Sequence, residues 1–122
     1  MKPERVAVIG ASDKPDRYSY MAIERLRNHG HVALPVHPKL KTVQGLAVYP
    51  SLAQVPHPID TITLYVNAEK SAAMAADLIA ANPRRVIFNP GTESPALEAT
   101  LQNAGIQTME ACTLVLLSTK QF

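Results

Sequence analysis

The sequence predicts an α/β fold of the doubly wound kind: a five-stranded parallel sheet, order 3-2-1-4-5, with helices on both faces. Three observations carry this expectation. Short runs rich in β-branched residues alternate along the chain with amphipathic or alanine-rich segments. The first run, Val6-Ala7-Val8-Ile9, breaks at Gly10-Ala11-Ser12 and hands over to a helix. A second strand follows that helix directly, and a strand–helix–strand connection of this length implies parallel pairing through a right-handed crossover.

Composition bounds the rest. With 122 residues, 47% of them apolar, the chain is long enough for one packed domain and too short for a separate catalytic one. A formal net charge of +2 argues against disorder and against a general nucleic-acid surface. Cys112 is the one cysteine, so no internal disulfide forms, and Met1 to Arg5 leads into the first strand without a secretory apolar segment. The expected location is cytoplasmic. The run Leu114-Val115-Leu116-Leu117 is far too short to cross a bilayer, so no membrane role is expected.

The first turn is where an anion would sit. Gly10 permits backbone geometry closed to residues with a Cβ, and the helix beginning near Tyr18 offers unpaired N–H groups with partial positive charge. Lys14 and Arg17 add two cations, and Ser12 and Ser19 add hydroxyls, a set suited to phosphate oxygens. On this reading Gly10 serves the ligand, and replacing it should spare the fold. An ordinary βα turn with solvated charges is the plain alternative. The dinucleotide fingerprint wants glycine at the first, third and sixth positions, where this chain has Gly10, Ser12 and Pro15. A phosphate ligand other than NAD is implied.

From Tyr18 to His29 the apolar positions Met21, Ala22, Ile23 and Leu26 recur at near-helical spacing, and Gly30 closes the helix. His31 to Val36 is the second strand. Its tip, Pro35-Val36-His37-Pro38-Lys39, carries no acidic residue to hold ribose hydroxyls, and Lys39 and Lys41 make it basic. A ribose phosphate suits such a tip, which leaves NADP or coenzyme A.

Gly10-Ala11-Ser12, the Pro35 to Lys39 tip, Gly45-Leu46-Ala47-Val48-Tyr49-Pro50-Ser51-Leu52 and Asn89-Pro90-Gly91-Thr92-Glu93 occur in that order. With them the chain resembles, over nearly its whole length, the small stand-alone CoA-binding proteins, which look like the CoA-binding Rossmann domain of the succinyl-CoA synthetase alpha subunit. The resemblance implies a Rossmann-like domain that binds coenzyme A or an acyl-CoA without catalysis of its own. It implies further that Gly10, Ala11 and Ser12 meet the pyrophosphate with Arg17 nearby, that Val36 and Pro38 flank the adenine with His37 beside the nucleotide, and that Lys39 lies near the 3′-phosphate. The phosphohistidine of the synthetase belongs to a second domain, so that reaction is not expected of this chain. An NADP-binding oxidoreductase fragment and a protein-interaction module with a vestigial nucleotide site are the alternatives.

Thr42 to Pro58 reads as a loop-rich crossover with a short extended piece at Leu46 to Tyr49 and one turn capped by Ser51. Thr61 to Val66 is a buried strand whose end presents Tyr65 and Asn67, the former able to stack near an adenine, the latter able to bond the ligand or cap a helix. Ala68 to Asn82 is strongly helix-forming and predicts one continuous helix stopped by Pro83. Arg85 to Phe88 is the next strand, emptying into Asn89-Pro90-Gly91, where Gly91 lets backbone approach a ligand. Ser94 and Pro95 read as N-cap and first residue of a helix that Gly105 ends. Ile106 to Met109 is the last strand, and Cys112 to Leu117 either extends the sheet or packs elsewhere.

His29, His31, His37 and His57 share no face and no ligand spacing, so no metal site is expected. Ser12 lacks a nucleophile elbow, and no base stands near Cys112 in sequence to activate it as a nucleophile. The expected partner is a small molecule, bound by a monomer or a weak homodimer.

Overall fold

The computed structural model describes residues 2–122. Five strands form one parallel sheet: β1 (Arg5–Ile9), β2 (Val32–Val36), β5 (Thr61–Leu64), β6 (Arg85–Phe88) and β7 (Gln107–Glu110), in the order β2-β1-β5-β6-β7. A two-stranded antiparallel ribbon, β3 (Thr42–Val43) and β4 (Leu46–Ala47), stands apart from it. Strand pleating sends alternate side chains to opposite faces. Ala7, Ile9, Ile62, Leu64, Val86 and Phe88 therefore join one cluster, under α3 (Ala75–Ala81) and α4 (Pro95–Asn103). Val6 and Val8 join the other, under α1 (Tyr18–Asn28) and α5 (Thr113–Ser118), which bury Ile23, Leu26 and Leu117. These side chains are buried, and truncating a wholly buried one such as Leu26 to Ala costs about 2–5 kcal/mol.

The doubly wound parallel architecture is the one the sequence predicts, but the strand order needs correction. Counted in chain order, the five strands run 2-1-3-4-5, because Thr61–Leu64 pairs with the free side of β1 and does not lie outside β2. Outside β2, among the described residues, lies a single parallel bridge, Val36 to Tyr49. Pro50 follows at once and has no N–H with which to extend the ladder. The chain then returns beneath β1, where Asp60 accepts from the Arg5 N–H at 2.7 Å and the Arg5 guanidinium donates to the carbonyls of Pro56 and Pro58.

The segment expected as one helix is two, α2 (Ala68–Ala72) and α3. Ser71 is fully buried and satisfies its hydroxyl on the Ala68 carbonyl, three residues back. The Met74 N–H also bonds three residues back, to Ser71, so the backbone tightens and restarts. Cys112 to Leu117 does not extend the sheet, since α5 packs against α1. Ser51 precedes a short 3-10 turn, Leu52–Gln54, but its side chain does not cap it; only its carbonyl accepts, from the Gln54 N–H. The caps at Asn67 and Ser94 form as expected, accepting from the N–H groups of Lys70 and Leu97. No helix among the described residues is long and apolar enough to cross a membrane.

Candidate functional site

In an open parallel sheet the carboxyl ends of the strands meet the start of the following helices, and a crevice forms where the winding reverses. Here the reversal lies between β1 and β5, and a cleft of about 1070 Å³ opens above it. The β1–α1 turn, the β2 tip, the Pro50–Leu52 segment, the end of β5 with α2, and the turn after β6 all line it. Of the residues singled out by sequence, Gly10, Ala11, Ser12, Lys14, Arg17, Tyr18, Ser19, Val36, His37, Pro38, Tyr65, Asn67, Pro90 and Gly91 line this one cleft.

Gly10 sits at φ +86°, and a Cβ there would lie 2.8 Å from the Tyr65 carbonyl oxygen and 3.0 Å from Val66 Cγ1. The glycine is thus required by the neighbouring strand end, and the expectation that its replacement spares the fold is corrected on that ground. The amides of Gly10 and Ala11 both donate to the Val36 carbonyl at 3.1 Å, which locks β1 to the tip of β2. An anion would accordingly be met by the first-turn amides of α1, at Tyr18, Ser19 and Tyr20, which have no helical carbonyl to pair with. Arg17 is the N-cap residue and Lys14 lies in the turn before it. Both ion pairs among the described residues, Glu4 with Arg84 and with Arg85, lie at the opposite end of the sheet. Among the described residues the cleft cations Lys14, Arg17 and Lys70 have no carboxylate within ion-pair distance, although Asp13 and Asp77 share the lining.

Loop-internal bonds shape the remainder. Ser12 Oγ accepts from the Lys14 N–H at 3.1 Å, an ST turn that orders the β1–α1 loop. His37 Nδ1 accepts from the N–H groups of Lys39 (3.0 Å) and Leu40 (3.1 Å), which requires that nitrogen to be unprotonated. Lys39 itself is exposed and does not line the cleft. Tyr65 forms part of the floor; burial pushes its phenol up to about 12, outweighing the Thr113 and Thr63 hydroxyls that favour ionisation. Neither hydroxyl reaches hydrogen-bond geometry with the buried Tyr65 oxygen.

Asn89 is placed differently from its sequence expectation. It is 2% exposed and turned into the protein, where both amide hydrogens and the amide oxygen are bonded. Conversely, sequence reasoning missed Leu52, Val66, Lys70, Met74, Asp77 and Thr92 as lining residues. Val66 and Thr92 follow strand ends and were findable on that signal. Met74 and Asp77 reach the cleft because α3 restarts after the break, which the sequence does not announce.

Comparison with known proteins bears on the family and the fold. A family model described as CoA binding domain matches residues 4–118. The chain is 30% identical over 78 residues to an uncharacterized protein of Bacillus subtilis, covering 64% of this chain and 58% of that one. It is 33% identical over 67 residues to an ADP-forming acetate–CoA ligase of Archaeoglobus fulgidus, covering 55% of this chain and 10% of the ligase. The chain therefore spans less than two thirds of these relatives' length. Among solved structures, one uncharacterized protein superimposes over 100% of both chains at 38% identity with a TM-score of 0.95. A protein from Thermus thermophilus matches at 26% identity and a TM-score of 0.89, covering 98% of this chain and 91% of that one.

Proposed function

The chain belongs to the CoA binding domain family, and we propose from that premise that its cleft holds coenzyme A or an acyl-CoA and performs no reaction on it. The observation that carries this reading is the set of unpaired cations Lys14 and Arg17 beside the open first-turn amides of α1. Two adjacent phosphates there gain charge-assisted hydrogen bonds without breaking any internal ion pair. The adenosine end then follows the β2 tip past Val36, His37 and Pro38, and the pantetheine arm crosses toward Tyr65, Asn67, Pro90 and Gly91. Binding without catalysis is supported by the state of the reactive groups in the lining. Ser12 Oγ and His37 Nδ1 are both engaged in their own loops, and Tyr65 keeps its proton up to about 12.

An NADP reading is disfavoured by Ser12 and Pro15, which stand where a dinucleotide pyrophosphate needs glycine. Thermal-shift titration with CoA, acetyl-CoA and NADPH separates the two. Both CoA compounds should raise the melting temperature, by an amount that grows with concentration, and NADPH should do so much less. A shift with NADPH equal to or larger than that with CoA would remove the proposal.

A further inference from the structure

Beneath the floor of the cleft lies a buried polar junction that the binding of phosphates does not use. Asn89, at the end of β6, donates to Thr63 Oγ1 at 2.7 Å and to the Leu64 carbonyl at 2.9 Å, and accepts from the Thr113 N–H at 2.9 Å. The Thr63 and Thr113 hydroxyls bond each other at 2.8 Å, and both residues are fully buried. The Asn89 side chain bonds the Leu64 carbonyl at the end of β5 and the Thr113 N–H at the start of α5, so it couples three elements that an apolar residue would only pack together.

The junction has two outputs. One is the cleft turn: the Asn89 carbonyl accepts from the N–H and the hydroxyl of Thr92, at 2.9 and 2.8 Å, and so fixes Pro90 and Gly91 between them. The other is α5, which Thr113 opens. The far end of that helix is held where the Phe122 ring stacks on His31 at 5.0 Å and on the Arg85 guanidinium at 4.4 Å. The helix therefore runs from an anchor at the base of the sheet to the residue that orients the cleft turn.

We propose that Thr113, whose hydroxyl acts on Asn89 through Thr63, is a positioning residue for the Pro90–Thr92 turn, so that the seating of α5 sets how tightly the cleft holds the part of its ligand beyond the phosphates. The proposal rests on the CoA reading above. It concerns one arm of the ligand only, since the β6 turn lies across the cleft from the β2 tip where the adenosine sits.

That asymmetry supplies the test. Isothermal titration with CoA and with adenosine 3′,5′-bisphosphate, which lacks the pantetheine arm, is run on the wild type, Thr113→Val and Thr113→Ser. Thr113→Val should weaken CoA about three- to tenfold and leave the bisphosphate unchanged, and Thr113→Ser, which keeps the hydroxyl, should restore CoA binding. Parallel weakening of both compounds, or no change for either in a folded variant, overturns the proposal. Should the valine variant fail to fold, Thr113→Ala is read by the same two titrations. A wild type that binds both compounds equally also overturns it, because the arm then adds no affinity. A wild type that binds neither removes the CoA reading itself.

Discussion

The two ends of the sheet treat charge in opposite ways. At the amino ends of the strands Glu4 accepts from Arg84 at 2.8 Å, Arg85 at 3.3 Å and Thr61 at 2.6 Å, while the Glu4 N–H donates to His31 Nδ1. Phe122 covers Arg85 and His31. A groove of about 830 Å³ lies there too, lined by Lys2, His29, Arg84 and Lys120, but α1 ends against it and presents carbonyls, which favour cations and oppose an anion. At the carboxyl ends Lys14, Arg17 and Lys70 face a cleft with no ion-pair partner among the described residues. Charge consumed internally holds the fold together, and charge left open is available to a ligand.

Substitutions at the two ends should therefore fail differently. The largest effect is expected where the open end also carries a backbone constraint. Gly10→Val puts a Cβ 2.8 Å from the Tyr65 carbonyl at φ +86°, and should destabilise by about 3 kcal/mol or more, seen as a collapse of the melting temperature. A normally stable Gly10→Val protein would show that the β1–α1 turn and the end of β5 can separate cheaply.

At the closed end, Glu4→Leu strands the Arg85 guanidinium, whose side chain is 9% exposed, and should cost about 3 kcal/mol in urea unfolding. CoA affinity of the folded fraction should not change. Arg17→Ala should behave in the reverse sense, weakening CoA about tenfold by titration while shifting stability by no more than about 0.5 kcal/mol. If either variant moved stability and affinity together, the division between the two ends would be lost.

Proton linkage gives smaller effects of opposite sign. Burial lowers the His31 pKa below 6.5, more than Glu4 raises it, so the fold favours the neutral ring. That contribution is present above pH 6.5 and is lost as pH falls below it. Unfolding free energy measured from pH 7.5 to 5 should decline in the wild type and less steeply in His31→Gln. Near the cleft turn, burial and then the neighbouring Glu110 carboxyl raise the Glu98 pKa above 4.5, so its contribution is present at low pH and lost as pH rises through the raised value. Glu98→Gln should therefore raise the melting temperature slightly at pH 7 and not at pH 3.5. Equal shifts at both values would mean that Glu98 acts through packing and not through charge.

Much of the site was legible because its signals are local. Ser94 before Pro95 and Asn67 ahead of an alanine-rich stretch each act on residues within one turn, and both caps form. The cations of the first turn were legible for the same reason. Asn89 looked identical in sequence to a ligand-contacting residue, since nothing local says whether a side chain at a strand end turns outward or inward.

The sequence by itself determined the alternation of strands and helices, hence the parallel sheet, and the glycine turn and cations at the end of the first strand, because periodicity and capping are properties of neighbouring residues. Only the tertiary structure decided that Thr61–Leu64 lies beside β1, that the Ala68 to Asn82 stretch breaks at Met74, and that Gly10 answers to the Tyr65 carbonyl. Each of these depends on groups brought together from distant parts of the chain: Arg5 with Asp60, buried Ser71 against the core, and the end of β5 against the end of β1. Those contacts exist only after the chain has closed, so no window of neighbouring residues contains them.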